Sequence, residues 1–303
     1  LSGGLDSQSL AHVVLSKSKI KREVMNYCIE FKGHKNSEFN EAKKFTEAYK
    51  SQINKVQIDE NYIINNFGNL VQKNEGPLGG IMQIGMFKLA EIAKENSFDI
   101  LLAGWGLDEC FGSYKDFRKN NKSNNFNLID GTNISNYSMI SKQNGNEARK
   151  HLIKRYFFNT KIPRTVQMCD RFSMASSIEL RLPFLDHHFV EKSILIEEKK
   201  QRVDKHLIRD YMSKNSLYKK NWFKNKLHVP HPQNLWLKQG KLKDWSYSII
   251  SNDYIYNNFK FLSKEKTLKF WSDFIKGKVN SGYPIWQLLN MYYILKFEKE
   301  LKR

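Results

Sequence analysis

The sequence predicts an α/β fold in which a doubly wound parallel sheet is followed by a mainly helical C-terminal half. In the first ~115 residues, short apolar segments typical of strands alternate with segments of helical periodicity, as in βαβ units. After a polar stretch rich in Asn and Ser, the periodic segments are almost all helical. One structural unit, residues 1–303, is thus divided into an α/β part over residues 1–118 and a mainly helical part over residues 145–303.

Each element of the α/β part is predicted from its own pattern. In chain order they are a strand at Val24–Phe31, a helix at Glu38–Lys50, a short strand at Val56–Ile58, a helix at Ile81–Asn96 and a strand at Ile100–Ala103. The last helix carries an apolar stripe expected to face the core, formed by Met82, Met86, Leu89 and Ala93. The last strand is wholly apolar, which is typical of a strand buried inside a parallel sheet.

The helical part follows a long exposed connection, predicted over Asn120–Asn146 from its Asn, Ser and Gly content. Beyond it, apolar residues recur at helical spacing. The helices expected there lie at Glu147–Asn159, His187–Glu198, Lys205–Lys214 and Tyr283–Lys302.

Composition places the chain among folded globular proteins, since 40% of its 303 residues are hydrophobic and 27% are charged. No apolar run reaches the ~18 residues that a membrane-spanning helix requires. The three cysteines, Cys28, Cys110 and Cys169, form no CxxC pair. This argues against a disulfide framework or structural zinc, and it favours a reducing, cytoplasmic compartment.

The net charge of +19 is strongly basic, and a basic domain can bind nucleic acid. The lysines, however, are scattered along the chain beside asparagines, as in residues 119–125. No arginine-rich arm, zinc-finger spacing or aromatic RNA-binding signature accompanies them. We therefore expect solvated, lysine-rich surfaces and no nucleic-acid partner.

A glycine-rich loop, LSGGLDS at residues 1–7, leads directly into a helix expected to pack through Leu10, Val13 and Val14. Such a loop lets backbone N–H groups and the helix N-terminus close on phosphate oxygens, and Ser2 and Ser7 add hydroxyl donors. Asp6 beside a polyphosphate indicates a Mg²⁺ ion between them, because two bare anions would repel. An ordinary glycine turn capped by Asp6 or Ser7 would give the same string.

A second block, AGWGLDECFGSY at residues 103–114, directly follows the last predicted strand. In an open α/β sheet, ligands bind at the carboxyl ends of the strands. Asp108 placed there can share a Mg²⁺ with Asp6, and the glycines permit a close backbone approach. The alternative is a turn whose acidic side chains face solvent.

A third block, DRFSMASSIELRLPFLD at residues 170–186, interleaves charged and apolar residues. Its charged members include Arg171, Glu179, Arg181 and Asp186. Their spacing indicates a partly buried polar network, although a core segment held by ion pairs would look the same. His187 and His188 follow without Cys or His at ligand spacing, so we expect solvated loop residues rather than a metal site.

These strings, in this order, resemble the synthetase domain of the asparagine synthetase-like family. SGGLDS resembles the pyrophosphatase loop of the ATP-pyrophosphatase (PP-loop) superfamily, which has a Rossmann-like fold. The second block resembles the asparagine synthetase pattern SGEGADELFGGY, and the third resembles DRMSMAHSLEVRVPFLDHRLVE. WFKNKLHVP at residues 222–230 is similar to RxKxGFxxP, with Trp222 in place of the arginine and Lys226 and Leu227 in place of Gly-Phe.

The resemblance implies an ATP-dependent, amide-forming ligase with Mg²⁺ as cofactor. A substrate carboxylate, of aspartate or a relative, attacks the α-phosphate of ATP to give an acyl-adenylate and pyrophosphate; ammonia or an amine then gives the amide and AMP. The implied ligands of pyrophosphate are Ser2, Gly3, Gly4, Asp6 and Ser7, those of Mg²⁺ are Asp6 and Asp108, and those of adenosine are Leu1, Ile29, Ala103 and Gly104. Lys224 matches the catalytic lysine of the family, which stabilises charge on the transferring groups.

Trp105 lies where the resemblance places a glutamate in asparagine synthetases and a tyrosine in β-lactam synthetases. An indole has no basic site, so it cannot accept a proton from ammonium or an amine. If Trp105 faces the adenylate, the substrate is expected to be bulkier or less polar than aspartate, with Glu179 as the remaining candidate base. Alternatively, Trp105 packs against the adenine or the end of the sheet.

Members of the family usually take ammonia from an N-terminal glutaminase domain. Leu1 already lies within the synthetase pattern, so we expect a glutaminase domain upstream or on a partner chain. Three alternatives stay open. They are the same chemistry on another acid (a peptide, as in lasso-peptide cyclases, a β-lactam precursor or a sugar acid), a tRNA-modifying PP-loop enzyme, and a degenerate, non-catalytic binding domain.

Overall fold

The computed structural model describes residues 1–17, 24–34, 38–111, 154, 156–159, 161–196, 205–223 and 231–301. The connection predicted over Asn120–Asn146, most of the helix predicted over Glu147–Asn159, and Lys224 lie outside these residues. Within them, no helix is long and apolar enough to cross a membrane.

Helices and strands alternate along the α/β part. Its elements are α1 (Leu5–Lys17), β1 (Met25–Phe31), α2 (Phe39–Ala48), β2 (Gln52–Ile58), α3 (Glu60–Lys73), α4 (Ile81–Glu95), β3 (Ile100–Leu102) and α5 (Leu107–Phe111). Local chemistry fixes their ends: the carboxylate of Asp59, for example, accepts a hydrogen bond from the backbone N–H of Tyr62 at 2.8 Å and caps α3. The alternation confirms the α/β class.

The helical part is described from α6 onward. Its helices are α6 (Lys161–Met174), α7 (His187–Leu195), α8 (His206–Asn215), α9 (Gln233–Lys238), α10 (Lys241–Ile250), α11 (Asp253–Asn258), α12 (Lys264–Ile275) and α13 (Tyr283–Leu301). A strand, β4 (Glu179–Arg181), and a 3₁₀ turn (Pro183–Leu185) separate α6 from α7. The helices predicted around His187, Lys205 and Tyr283 are confirmed, with boundaries shifted by a few residues.

The strands pair in parallel. Strand β1 pairs with β2 in a register that runs from Met25 opposite Gln52 to Phe31 opposite Ile58. Strand β3 pairs with β4, with Ile100 opposite Glu179. Among the described residues these are two separate two-stranded sheets, so parallel α/β pairing is confirmed but a single doubly wound sheet is not.

Two of the strand predictions need correction. Strand β2 is longer than the predicted Val56–Ile58, because its polar first half pairs through the backbone, which the side-chain pattern does not reveal. Strand β3 is not buried as expected: the side chains of Ile100 and Leu102 are 44% and 46% exposed. Only Leu101 between them packs against the core, because one face of this short pair is left open.

Helix α4 is also packed differently from the prediction. Met82 in the expected stripe is 38% exposed, whereas Ile81, Ile84 and Ala90 are fully buried and Ala93 is buried as predicted. The reason is that α4 contacts α3, α6 and both strands of the β1–β2 pair. A helix enclosed on several sides buries more than one stripe.

The main core joins the two parts of the chain through α3, α4 and α13. The ring of Trp286 packs against Phe67 with centroids 5.1 Å apart, and its indole N–H donates to the carbonyl of Leu78 at 2.9 Å. Asn290 accepts from the N–H of Leu78 at 2.7 Å and is itself buried. The C-terminal helix therefore holds the turn that leads into α4.

A second, smaller cluster lies behind the glycine-rich loop. Its buried members are Leu15, Phe45, Tyr49, Met212 and Trp222. Helix α1 packs here through Gln8, Ser9, His12 and Leu15, whereas Val13 of the predicted packing face is exposed. The cause is polar: His12 Nδ1 is hydrogen-bonded to the hydroxyl of Tyr49 at 2.6 Å, which turns this side of α1 toward α2.

Candidate active site

The glycine-rich loop is closed by its own serines. The N–H of Ser2 donates to Ser7 Oγ at 3.0 Å, and the two hydroxyl oxygens lie 2.9 Å apart. The N–H of Gly4 donates to Ser2 Oγ at 3.1 Å. Helix α1 begins directly after this turn, with Asp6 in its first turn. The loop is thus a tight turn, held by the hydroxyls of Ser2 and Ser7, that leads directly into the N-terminus of α1.

The second block lies against this loop, as predicted. A Cβ added at Gly104 would lie 2.8 Å from the backbone carbon of Asp6 and 3.0 Å from the nitrogen of Ser7. No other residue type fits so close to another backbone. Gly106 has a φ of 105°, and a Cβ there would meet Leu185 at 2.5 Å. Glycines therefore let the end of β3 reach the loop and the 3₁₀ turn.

The carboxylates of Asp6 and Asp108 converge on one cation. The ammonium of Lys205 lies 2.5 Å and 2.7 Å from the two oxygens of Asp6 and 2.7 Å from Asp108 Oδ1. The side chain of Lys205 is only 3% exposed. Two acids that are far apart in the sequence thus lie together at the loop, and the cation between them is the chain's own Lys205.

The pair of aspartates fits a magnesium ion. Mg²⁺ is bound in such sites by one or two carboxylates, and phosphate oxygens and waters complete its shell. Within the described ranges there is no group of three or more His, Cys, Asp or Glu that could hold a metal without such help. The donor set therefore fits a metal that arrives with a phosphate ligand.

Helix α8 positions Lys205. The residue precedes the helix with a left-handed backbone (φ 58°, ψ 33°), and its carbonyl accepts from the N–H of Arg209 at 3.0 Å. The guanidinium of Arg209, itself buried, donates to the carbonyl of Trp222. Sequence analysis missed Lys205; its position at the first residue of a predicted helix in a lysine-rich chain gave no signal of burial.

A second lysine, also missed, reaches the other side of the loop. The ammonium of Lys220 donates to the carbonyl of Gly3 at 3.1 Å, to Gln8 Oε1 at 2.6 Å and to Glu41 Oε1 at 3.1 Å. It also lies 4.3 Å from the centroid of the Trp222 ring. Burial lowers the pKa of Lys220, and the nearby Glu41 carboxylate opposes that shift. Lys220 therefore ties the loop to α2.

Lys224 lies outside the described residues, but the segment leading to it does not. Lys220 and Trp222 place residues 220–222 beside the glycine-rich loop.

Trp105 follows the carboxyl end of β3, whereas Glu179 is the first residue of β4 and pairs with Ile100 at the other end of the strand pair. The indole of Trp105 packs edge-on against Phe172 of α6, with centroids 6.0 Å apart, and is partly buried against the core. Glu179 accepts from the guanidinium of Arg181 at 2.8 Å. This hydrogen bond and the positive charge of Arg181 lower the pKa of Glu179, so the exposed side chain is a carboxylate at neutral pH.

The third block does not form the partly buried network that its pattern indicated. Arg181 and Glu179 are exposed, and Arg171 pairs with Glu75 of the turn after α3. Asp186 is an exposed helix cap that accepts from the N–H of His188 at 3.0 Å. Ion pairs are present, as the alternative expected, but they lie at the surface rather than in the core. His187 and His188 are exposed, as predicted, although in the first turn of α7.

The residues predicted to contact adenosine lie on different elements: Ile29 within β1, Ala103 and Gly104 directly after β3, and Leu1 before α1. Ile29 on β1 lies against α4, where a Cβ on Gly85 would be 3.0 Å from it. The N–H of Ala103 donates to the carbonyl of Arg181 at 3.1 Å, which continues the β3–β4 ladder up to Gly104. Leu1 is partly buried on the second cluster.

Comparison with known proteins agrees with this geometry. The profile of the family described as asparagine synthase matches residues 1–301. Asparagine synthetase [glutamine-hydrolyzing] 1 of Bacillus subtilis is 23% identical over 351 aligned positions, covering 95% of this chain and 54% of the relative. A putative asparagine synthetase [glutamine-hydrolyzing] 1 of Methanocaldococcus jannaschii is 28% identical over 121 residues, covering 38% of this chain and 18% of the relative.

A third relative has a different name. Amidase chry2 of Gibberella zeae is 28% identical over 135 residues, covering 41% of this chain and 20% of the relative. The chain thus spans about half or less of the length of these curated relatives.

Proposed function

Since the chain belongs to the asparagine synthase family, we propose that it is the synthetase domain of an ATP-dependent, amide-forming ligase. In this proposal a substrate carboxylate attacks the α-phosphate of ATP, forming an acyl-adenylate and releasing pyrophosphate. Ammonia or an amine then attacks the acyl carbon, and AMP leaves as the amide forms. Adenylation is needed because an unactivated carboxylate has a poor leaving group.

Each part of the site has a role in this proposal. The N–H groups of the loop and the hydroxyls of Ser2 and Ser7 bind the pyrophosphate, and Gly3 and Gly4 allow its close approach. Asp6 and Asp108 hold Mg²⁺, which neutralises charge on the departing pyrophosphate. Leu1, Ile29, Ala103 and Gly104 lie beside adenosine, and Lys224 stabilises the charge of the transferring groups.

One observation carries the proposal: the carboxylates of Asp6 and Asp108, from separate blocks, meet at the ammonium of Lys205 beside the glycine-rich loop. The test is substrate-dependent exchange of labelled pyrophosphate into ATP by the complete protein, with a panel of carboxylic acids and Mg²⁺. Exchange with at least one acid, together with AMP as product, is expected. ATP cleavage to ADP and phosphate would contradict the adenylation chemistry.

Trp105 favours a substrate other than aspartate as a second candidate. Its indole is packed against Phe172 and offers no carboxylate to an incoming amine. If the part of the indole that Phe172 leaves uncovered faces the adenylate, the substrate is bulkier or less polar than aspartate, such as a peptide, a β-lactam precursor or a sugar acid. If Trp105 serves only for packing, it does not argue against aspartate. With ATP, Mg²⁺, aspartate and ammonia, little or no asparagine is expected from the native protein and more from Trp105→Glu; robust native turnover would contradict this candidate.

Ammonia, in our proposal, is supplied by a glutaminase domain upstream or on a partner chain. The thiols of this chain are unsuited to glutamine hydrolysis, since all three are buried. Burial raises the pKa of Cys28 and Cys110 to about 11 and that of Cys169 to about 12. A nucleophilic cysteine requires a thiolate at neutral pH. We further propose a cytoplasmic location, where thiols stay reduced and ATP is supplied.

A further inference from the structure

The cation between Asp6 and Asp108 belongs to the chain itself. Lys205 brings one positive charge to two carboxylates, and its ammonium lies within hydrogen-bond distance of both. Its side chain is almost fully buried, whereas those of Asp6 and Asp108 are partly exposed. The metal-binding acids of the proposed function are therefore already neutralised in part, from the buried side.

A divalent metal ion and this ammonium compete for the same oxygens. A Mg²⁺ ion bound by both carboxylates would lie about 2 Å from their oxygens, and the ammonium lies 2.5 to 2.7 Å from them. Two cations on the same side of shared carboxylates repel strongly in a site of low dielectric constant. The metal can therefore bind both acids only when the ammonium moves away.

The bonds of Lys205 show what holds it there. In the described part of the chain, its ammonium bonds only to Asp6 and Asp108, which are the groups that a metal would claim. Lys220, by contrast, is anchored by the carbonyl of Gly3 and the amide of Gln8 as well as by a carboxylate. A metal that takes the carboxylates thus leaves Lys205 buried without an anion, which is costly unless another anion is present.

We propose that Lys205 is an exchangeable internal counter-ion of the metal site. It occupies the two carboxylates before the metal does, disfavours binding of a divalent ion alone, and releases them when a polyphosphate supplies new acceptors for its ammonium. Metal and nucleotide consequently bind together, with positive coupling between them. This inference rests on the proposed function in taking Asp6 and Asp108 as the metal ligands.

The experiment is a titration of the nucleotide-free protein with Mn²⁺. At each step, electron paramagnetic resonance measures the concentration of the free ion. Lys205→Gln keeps a hydrogen-bonding side chain but removes the charge, and is expected to bind Mn²⁺ at least about tenfold more tightly than the native protein. Adding Asp108→Asn to Lys205→Gln should abolish the gain. Lys219→Gln is the matched control: Lys219 is an exposed lysine next to Lys220, and the loss of its charge should leave Mn²⁺ affinity within about twofold.

A second measurement covers any loss of stability in the variant. MgCl₂ alone should raise the Tm of Lys205→Gln clearly and that of the native protein little, whereas MgCl₂ with tripolyphosphate should raise the Tm of the native protein. Unchanged Mn²⁺ affinity in a folded Lys205→Gln, or an equal gain in Lys219→Gln, would overturn the proposal that Lys205 exchanges with the metal.

Failure of the two proposals can be told apart. The Mn²⁺ titration uses neither ATP nor a carboxylic acid, so a gain in Lys205→Gln supports the exchange even if no acid supports pyrophosphate exchange. Conversely, pyrophosphate exchange by the native protein, without any gain in Lys205→Gln, supports the proposed function and overturns the role of Lys205.

Discussion

The two lysines that reach the glycine-rich loop are held by different partners. The difference distinguishes a lysine that balances the charge of the site from one that maintains the conformation of the loop. Lys205 bonds to the carboxylates of Asp6 and Asp108. Lys220 bonds to a backbone carbonyl and an amide as well as to the carboxylate of Glu41, and its ammonium lies over the ring of Trp222. Another cation can replace Lys205, because it is held only by carboxylates in the described part of the chain. Lys220 also binds the main chain and therefore maintains the conformation of the loop. We call Asp6, Asp108 and Lys205 the charge-carrying side of the site. Lys220 and its partners Gly3 and Gln8 form the shape-keeping side.

The largest expected effect is on the charge-carrying side. Replacing Asp6 or Asp108 by Asn removes one of two converging carboxylates while keeping its size, so pyrophosphate exchange should fall by on the order of 10²–10³ or more. The folded structure should persist, which circular dichroism and the Tm would verify. Asp253→Asn, an exposed ion-paired residue on α11, is the control and should retain exchange. Normal exchange in both active-site variants would remove the metal assignment.

Lys224 adds a third lysine to the comparison, and it should behave as a catalytic residue. It stands six residues before Pro230, as the family pattern requires. Lys224→Ala should lower kcat by on the order of 10²–10³ with little change in the KM for ATP, because a charge placed for the transition state contributes little to ground-state binding. Full turnover by Lys224→Ala, combined with a loss of turnover in Lys226→Ala, would show that residues 222–230 are wrongly aligned with the family pattern.

The shape-keeping side should respond in the opposite way. Lys220→Met keeps the aliphatic stem but removes the bonds to Gly3 and Gln8, so the free energy of unfolding should fall by about 1–3 kcal/mol. The KM for ATP should rise more than kcat falls, because the variant displaces the loop but keeps the charges of Asp6, Asp108 and Lys205. Lys219→Met, at the exposed neighbouring position, controls for loss of charge. A selective fall in kcat would move Lys220 to the charge-carrying side.

What the sequence could and could not predict follows the same division. The loop and Asp108 were predictable because each lies in a contiguous, glycine-containing string. The glycines are needed where two backbones approach closely, as Gly104 does to Asp6. Lys205 lies 199 residues from Asp6, and Lys220 lies 217 residues from Gly3. No local pattern marks one lysine in a basic chain as buried, because only tertiary packing brings it to its anion.

The fold was predictable to a similar depth. Strand β1 and the helices α1, α2, α4, α7, α8 and α13 were recognised, because apolar periodicity reflects burial within a single element. Helices α3, α6 and α9 to α12 were not predicted. The exposure of Ile100 and Leu102 was not, since it depends on which strands lie beside β3 rather than on its own residues. The same holds for α4, whose several packing partners determine which stripe is buried.

The smallest expected effect comes from His12, which supports the loop from behind. Its ring is bonded to Tyr49 and Ser16, and Tyr211 of α8 lies on its other nitrogen. Burial lowers the pKa of His12, with a smaller contribution from Lys17, so the folded state favours the neutral ring. A group with a lowered folded pKa contributes stability above its unfolded pKa of about 6.5, and this contribution is lost as the pH falls below that value.

Chemical denaturation between about pH 7.5 and 5 should therefore show that the free energy of unfolding falls with pH, and that it falls less steeply in His12→Gln. His187→Gln, which replaces an exposed histidine, should keep the slope of the native protein. Equal slopes in the native protein and His12→Gln would mean that the packing behind the loop does not depend on a neutral ring.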